Sequence, residues 1–208
     1  MSVFGWIIIQ QRSGYTFDWR LPWADYKAGF GSIDVDFDFW LGLEEIHLLT
    51  RSQPYRLRVE VQHRWSTKLW YSAEYWSFKI GDELNDKYRL EVSGYSGDAS
   101  DSLNHEGDWN GDARFGTYDH NGMKFSTIDQ DNDLQDASNC AFGGGGGWWF
   151  NDCTYACLTC IEVHYLWNPR QVSDSRMMIK PQWLWKPLAW TRVHATFQAC
   201  LLFYPSLL

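Results

Sequence analysis

The densest run of potential metal ligands in the chain is Asp129-Gln130-Asp131-Asn132-Asp133-Leu134-Gln135-Asp136. Alternating aspartates on one side of a loop converge, and backbone carbonyls two and four residues on can complete an oxygen cage for a hard cation such as calcium. An EF-hand is excluded, because its glycine and terminal glutamate positions would fall on Leu134 and Cys140. The same residues also suit a solvated acidic loop closed by Asx turns. Downstream, Cys140 and Cys153 enclose Gly143–Gly147 and Trp148-Trp149-Phe150. A disulfide could close that short loop, worth roughly 3 kcal/mol in the chain-entropy model. Without a crosslink, five consecutive glycines would be costly in backbone entropy. Two adjacent tryptophans can place one ring in the core and one on a ligand-stacking surface, or both in the core. Cys153, Cys157, Cys160 and His164 carry zinc-ligand chemistry. Zinc sites usually arrive as two separated pairs, however, and Cys153 is better matched to Cys140.

Covalent and acid–base catalysis find no frame. The histidines at 47, 63, 105, 120, 164 and 194 are scattered, with no Gly-x-Ser-x-Gly or His-Glu-x-x-His around them. Acids are plentiful but no glycosidase pair is singled out, which leaves a metal-dependent hydrolase as the weakest reading. The glycine run is followed by neither Lys nor Ser/Thr, so it is no phosphate loop.

Charge narrows the partners. The net charge of −8 resides wholly between Asp98 and Asp136, where ten acids face two bases, Arg114 and Lys124. A domain without a basic surface is a poor binder of nucleic-acid phosphates. No run of apolar residues is long enough for a membrane span, and the first residues do not read as a secretory leader. Five cysteines, at 140, 153, 157, 160 and 200, leave the pairing of the last three open.

The elements that must hold these loops are legible further upstream. The chain has 208 residues, 18% aromatic with 14 Trp, which argues for one turn-rich, well-packed domain rather than a helical bundle. Ile7–Gln10 reads as a buried strand. Pro22–Ala28 reads as a short helix stopped by Gly29, and Leu43–Thr50 as a second. Tyr55, Leu57, Val59 and Val61 alternate with Arg56, Arg58 and Glu60, the pattern of a half-buried strand. Trp70–Ile80 and Lys87–Val92 continue it, with Gly81-Asp82 as the turn. From Ser93 to Phe150, Gly, Asp, Asn and Ser dominate and loops must carry the backbone.

In this order the segments resemble a fibrinogen C-terminal domain. They are Gly5–Arg12, Trp23–Gly31, Phe39–Thr50, Tyr88–Gly97, His120–Thr127, the Asp129–Asp136 run, Asn139-Cys140-Ala141, Trp148–Cys153 and Met177–Pro181, the last resembling the family's closing strand in the angiopoietin-like manner. The resemblance implies an α+β fold over residues 1–181: a central antiparallel sheet with short helices and a long loop-rich calcium and ligand subdomain. Residues 182–208 have no counterpart in it. It implies a secreted, non-catalytic recognition module that binds calcium and a protein receptor or an acetylated glycan, with a ficolin-like innate-immunity lectin as the alternative. Self-association would run through segments outside this chain.

Carried onto this sequence, Asp131 and Asp133 match the side-chain calcium ligands. Carbonyls around Gln135 and Ala137 complete the site, in a loop one residue longer than in ficolins. Cys140 and Cys153 match the disulfide beside the ligand pocket, around which Phe142, Trp148, Trp149 and Thr154 fall. There are departures. The histidine usual after the second cysteine is Thr154, and the pocket aromatic of ficolins falls on Gly144, which favours a protein ligand over an acetylated sugar. Asn104–Asp119 resembles an insertion.

Overall fold

The computed structural model describes residues 2–3, 5–13, 17–34, 37–64, 69–104, 119–161, 164–167 and 170–184. Most of the Asn104–Asp119 insertion, Cys200 and the tail from residue 185 lie outside the described residues.

The chain opens with strands β1 (Ser2–Val3) and β2 (Trp6–Ser13), followed by helix α1 (Trp23–Ala28). Pro22 stands at the N-cap with φ −73°, and Gly29 ends the helix at φ +91°, where its N–H donates to the Asp25 carbonyl at 2.8 Å. Strands β3 (Phe30–Gly31) and β4 (Phe39–Trp40) lead to α2 (Leu43–Ser52). Leu43, Ile46 and Thr50 recur at helical spacing on the buried face of α2. Its first turn carries Glu44 and Glu45, and its last turn Arg51, in line with the helix dipole.

Strands β5 (Tyr55–His63) and β6 (Trp70–Ile80) follow, with Leu57, Val59 and Val61 fully buried. The turn expected at Gly81-Asp82 holds a short helix, α3 (Glu83–Asp86), because the Asp82 carboxylate caps it by accepting from Asn85 N at 2.8 Å. β7 (Leu90–Gly97) then runs five residues beyond the expected end at Val92. The loop-rich half contributes α4 (Cys140–Gly144), β8 (Ala156–Cys157), β9 (Leu166–Trp167) and β10 (Arg170–Pro181).

The strands form one antiparallel sheet in the order β3-β4-β2-β10-β5-β6-β7, with β1 on β2 and the β8–β9 pair attached to β10. Met177–Pro181, expected as a closing strand, belongs to a longer strand at the sheet's centre. There Met177 pairs with Gln10 on one side and Val59 on the other. The chain therefore leaves the sheet after β7, builds the loop-rich region, and returns to fill the gap between β2 and β5. Gln182–Leu184 form a 3-10 turn, tied back by Gln182 Nε2 donating to the Trp76 carbonyl and Trp183 Nε1 to Gln53 Oε1, each at 2.8 Å.

One aromatic core runs from the helix-covered face of the sheet into the loops. Trp40, Tyr26, Phe125 and Trp149 meet with ring centroids 5.1 to 6.3 Å apart. Edge and tilted contacts of this kind hold irregular backbone that has no ladder of its own.

Candidate functional site

The acidic loop is built on the buried pair Ser126 and Thr127. Ser126 exchanges backbone hydrogen bonds with Trp148 at 2.9 and 3.1 Å, and Thr127 pairs with Gln130. Asp129 points back into the body: its Oδ1 accepts from Trp23 N at 2.8 Å and from Thr127 Oγ1 at 2.7 Å, so it pins α1 to the loop. The next two aspartates face each other. Asp131 Oδ1 accepts from Asp133 N at 3.3 Å. Asp133 Oδ1 accepts from Gln135 N at 2.9 Å, and its Oδ2 from Cys140 N at 2.8 Å. Burial raises the Asp133 carboxyl from 3.8 to about 6 despite these amides, and the neighbouring Asp131 charge adds to the rise.

A hard cation fits this donor set. Two adjacent carboxylates favour positive charge between them. Among the described residues no backbone N–H donates to the carbonyls of Gln135 or Ala137. Among the described residues no three His, Cys, Asp or Glu side chains are placed to hold a metal ion together, so such an ion would need those carbonyls as well.

The same loop walls a pocket of about 160 Å³. Cys140 and Cys153 are joined by a disulfide, and Gly143, Gly144, Phe150, Thr154 and His164 complete much of the lining. Asn139 fastens the wall. Its Nδ2 donates to the Thr127 carbonyl at 2.9 Å, and its Oδ1 caps α4 by accepting from Ala141 N and Phe142 N. Gln135 Nε2 donates to Asp152 Oδ1, and Leu134 N to the Asn151 carbonyl, so the acidic loop and the segment before Cys153 form one unit.

The glycine run is a steric necessity at Gly145, Gly146 and Gly147 and a tight fit at Gly144. A methyl carbon at Gly146 would lie 2.1 Å from the Thr159 carbonyl oxygen. One at Gly147 would lie 2.7 Å from the Phe125 ring, and one at Gly144 3.1 Å from Cys160 Sγ. Gly145 adopts φ +69° against Ile161. Only Gly143, at the pocket, has nothing within 4 Å.

One sequence expectation is corrected. Trp148 and Trp149 were expected beside the ligand, but both are fully buried. Trp149 donates its indole N–H to the Tyr88 carbonyl at 2.8 Å, and Trp148 packs edge-on against it. Neither presents a face to a ligand, because both rings pack into the core that Phe125, Phe150 and other buried loop residues build. Phe142 is instead 77% exposed and is not part of the pocket's lining, whereas Thr154 lines the pocket with its hydroxyl donating to the Ala156 carbonyl. The zinc-like spacing is also resolved: Cys157 and Cys160 form a second disulfide, leaving no thiolate there for a metal.

Sequence reasoning passed over His120. It is fully buried. Its Nε2 accepts from Ala156 N at 3.1 Å and Tyr155 N at 3.3 Å, which makes Nδ1 the donor to the Trp149 carbonyl at 2.7 Å. Burial lowers its pKa from 6.5 to about 4, so the ring is neutral. Its place at the head of the His120–Thr127 segment was the available signal.

The family model described as the C-terminal globular domain of fibrinogen beta and gamma chains matches residues 2–191. Bovine angiopoietin-related protein 1 is 41% identical over 147 residues, covering 71% of this chain and 26% of that protein. Human fibrinogen alpha chain is 43% identical over 162 residues, covering 77% of this chain and 18% of that protein. The chain thus spans about a quarter or less of these relatives. Among solved structures, the fibrinogen-like globe domain of human ANGPTL6 superposes with a TM-score of 0.70 at 31% identity, covering 85% of this chain and 78% of that one. A lamprey fibrin D-dimer in complex with the peptide Gly-His-Arg-Pro-amide superposes with a TM-score of 0.77 at 29% identity, covering 94% and 66%. With its sheet, helices and pocket disulfide in place, the chain belongs to the family of fibrinogen C-terminal globular domains.

Proposed function

We propose that this domain is an extracellular, non-catalytic recognition module in which calcium at Asp131 and Asp133 braces a pocket for a protein ligand. The observation that carries this is the Asp133 carboxylate. One side chain faces Asp131 at the cation site and, through Oδ2, holds the N–H of Cys140 at the start of the pocket helix. An ion bound there uses the Asp131 and Asp133 side chains with the carbonyls of Gln135 and Ala137, and supplies charge and rigidity rather than chemistry. A secreted setting accords with the two disulfides and with the fibrinogen and angiopoietin-related relatives; among the described residues no helix is long and apolar enough to cross a membrane.

A protein ligand is favoured over an acetylated glycan. Thr154 stands where the resemblance expects the pocket histidine and Gly144 where it expects the pocket aromatic, with His164 and Phe150 lining the cavity from other positions, and the structurally similar lamprey fibrin holds a peptide. Calcium at a hundredfold excess over its dissociation constant is expected to stabilise the oxidised domain by about 2.7 kcal/mol. Thermal unfolding with calcium and with chelator measures this. Asp131→Ala should abolish the shift while leaving the calcium-free midpoint near its original value. A shift that survives Asp131→Ala removes the cation from this loop.

A further inference from the structure

Two of the polar side chains that wall the pocket, Asn139 and Thr154, are already spent, and Ser138 and His164 complete its polar lining. Asn139 uses both ends of its amide on backbone groups, and the Thr154 hydroxyl donates to the Ala156 carbonyl. No Asp, Glu, Lys or Arg lines the cavity. Its floor is the Phe150 ring and the disulfide, and Gly143 and Gly144 contribute backbone only. Next to these glycines, Phe142 is 77% exposed, and Ile161, whose N–H donates to the Gly144 carbonyl, is 37% exposed. An ammonium placed here would lose water without finding an anionic partner in the lining, whereas an aliphatic group loses nothing by entering.

Around this neutral cavity the two walling loops are acidic. Asp131, Asp136 and Asp152 are exposed, Asp133 is half-buried, and the stretch from Asp98 to Asp136 carries the chain's whole net charge of −8. Calcium would offset two of these charges and leave the rim negative.

Resting on the recognition reading above, we propose that the pocket takes an internal aliphatic side chain of a protein partner, flanked in that partner by lysine or arginine, rather than a chain terminus or a sugar. The cavity supplies the apolar anchor point, and the acidic rim complements the flanks.

The test uses the oxidised, calcium-loaded domain and fluorescence anisotropy of a labelled peptide blocked at both ends, Gly-Ser-Lys-Lys-Leu-Lys-Lys-Ser-Gly. Replacing its leucine by glycine, or its lysines by glutamates, is expected to weaken binding at least about tenfold. Gly143→Leu should weaken it similarly with an unchanged melting midpoint, because Gly143 has nothing within 4 Å of an added Cβ and fills the cavity without strain. Equal binding of the glycine peptide, or an unaffected Gly143→Leu variant, overturns the proposal. Preferential binding of unblocked Gly-His-Arg-Pro-amide or of N-acetylglucosamine also overturns it, but leaves a calcium-braced recognition pocket standing. Failure of every probe to bind at millimolar concentration overturns it as well. The recognition reading falls separately, if calcium produces no thermal shift.

Discussion

Asp133→Ala is expected to cost the domain about 2–4 kcal/mol even in chelator, and to remove the calcium-dependent increment as well. The carboxylate accepts hydrogen bonds from two backbone amides, Gln135 N at 2.9 Å and Cys140 N at 2.8 Å. Each charge-assisted bond of this kind is worth about 1.5–3 kcal/mol, discounted here because the side chain is only half-buried. Asp131 makes one longer contact, 3.3 Å to Asp133 N, and stands exposed. The two variants therefore separate cation binding from loop architecture. Asp131→Ala loses calcium alone, whereas Asp133→Ala loses calcium and loosens the pocket helix. Chemical denaturation in calcium and in chelator measures both. Identical behaviour of the two variants in chelator would show that Asp133 does not hold α4.

The second large effect belongs to His120 and appears as a pH dependence. Its folded pKa, about 4, lies below the ordinary 6.5 because the ring is buried, an effect that outweighs the hydrogen bond to the Trp149 carbonyl. Between these values the unfolded chain binds a proton that the folded chain refuses. The contribution is thus fully present above pH 6.5 and is lost as pH falls towards 4. The gap corresponds to about 3 kcal/mol. Denaturant titrations of wild type and His120→Gln at pH 7, 6, 5 and 4 isolate it. The wild type should lose stability more steeply through this window, and His120→Gln should start lower and fall less. Parallel slopes would contradict a neutral, buried His120.

Elements governed by local pattern were legible in the sequence, and elements governed by distant contacts were not. α1 lies between Pro22 and Gly29, where those residues placed it, and β5 buries Leu57, Val59 and Val61 as their alternation required. The acidic loop was visible because its aspartates are sequence neighbours. That Asp129 turns inward to cap Trp23 is a contact across 106 residues, which no spacing records. The same limit hid the insertion of β10 between β2 and β5, since a strand's own residues do not name its partners. Trp148 and Trp149 illustrate a different limit. Their size and position suited either a core or a binding surface, and the choice was made by Tyr88, Trp40 and Phe125, contributed by other segments. The glycine run was noticed for its entropy, but its physical reason is the Thr159 carbonyl and the Cys157–Cys160 disulfide packed behind it.

The central claim is that the cation loop and the pocket wall act as one body through Asp133. Amide hydrogen exchange of the oxidised domain, followed with calcium and with chelator, tests this most directly. The account predicts slower exchange on calcium binding not only across residues 131–137 but also at Cys140, Phe142 and Gly143 in the pocket helix. Protection confined to the acidic loop, with Cys140–Gly143 exchanging at the same rate in both buffers, would contradict it.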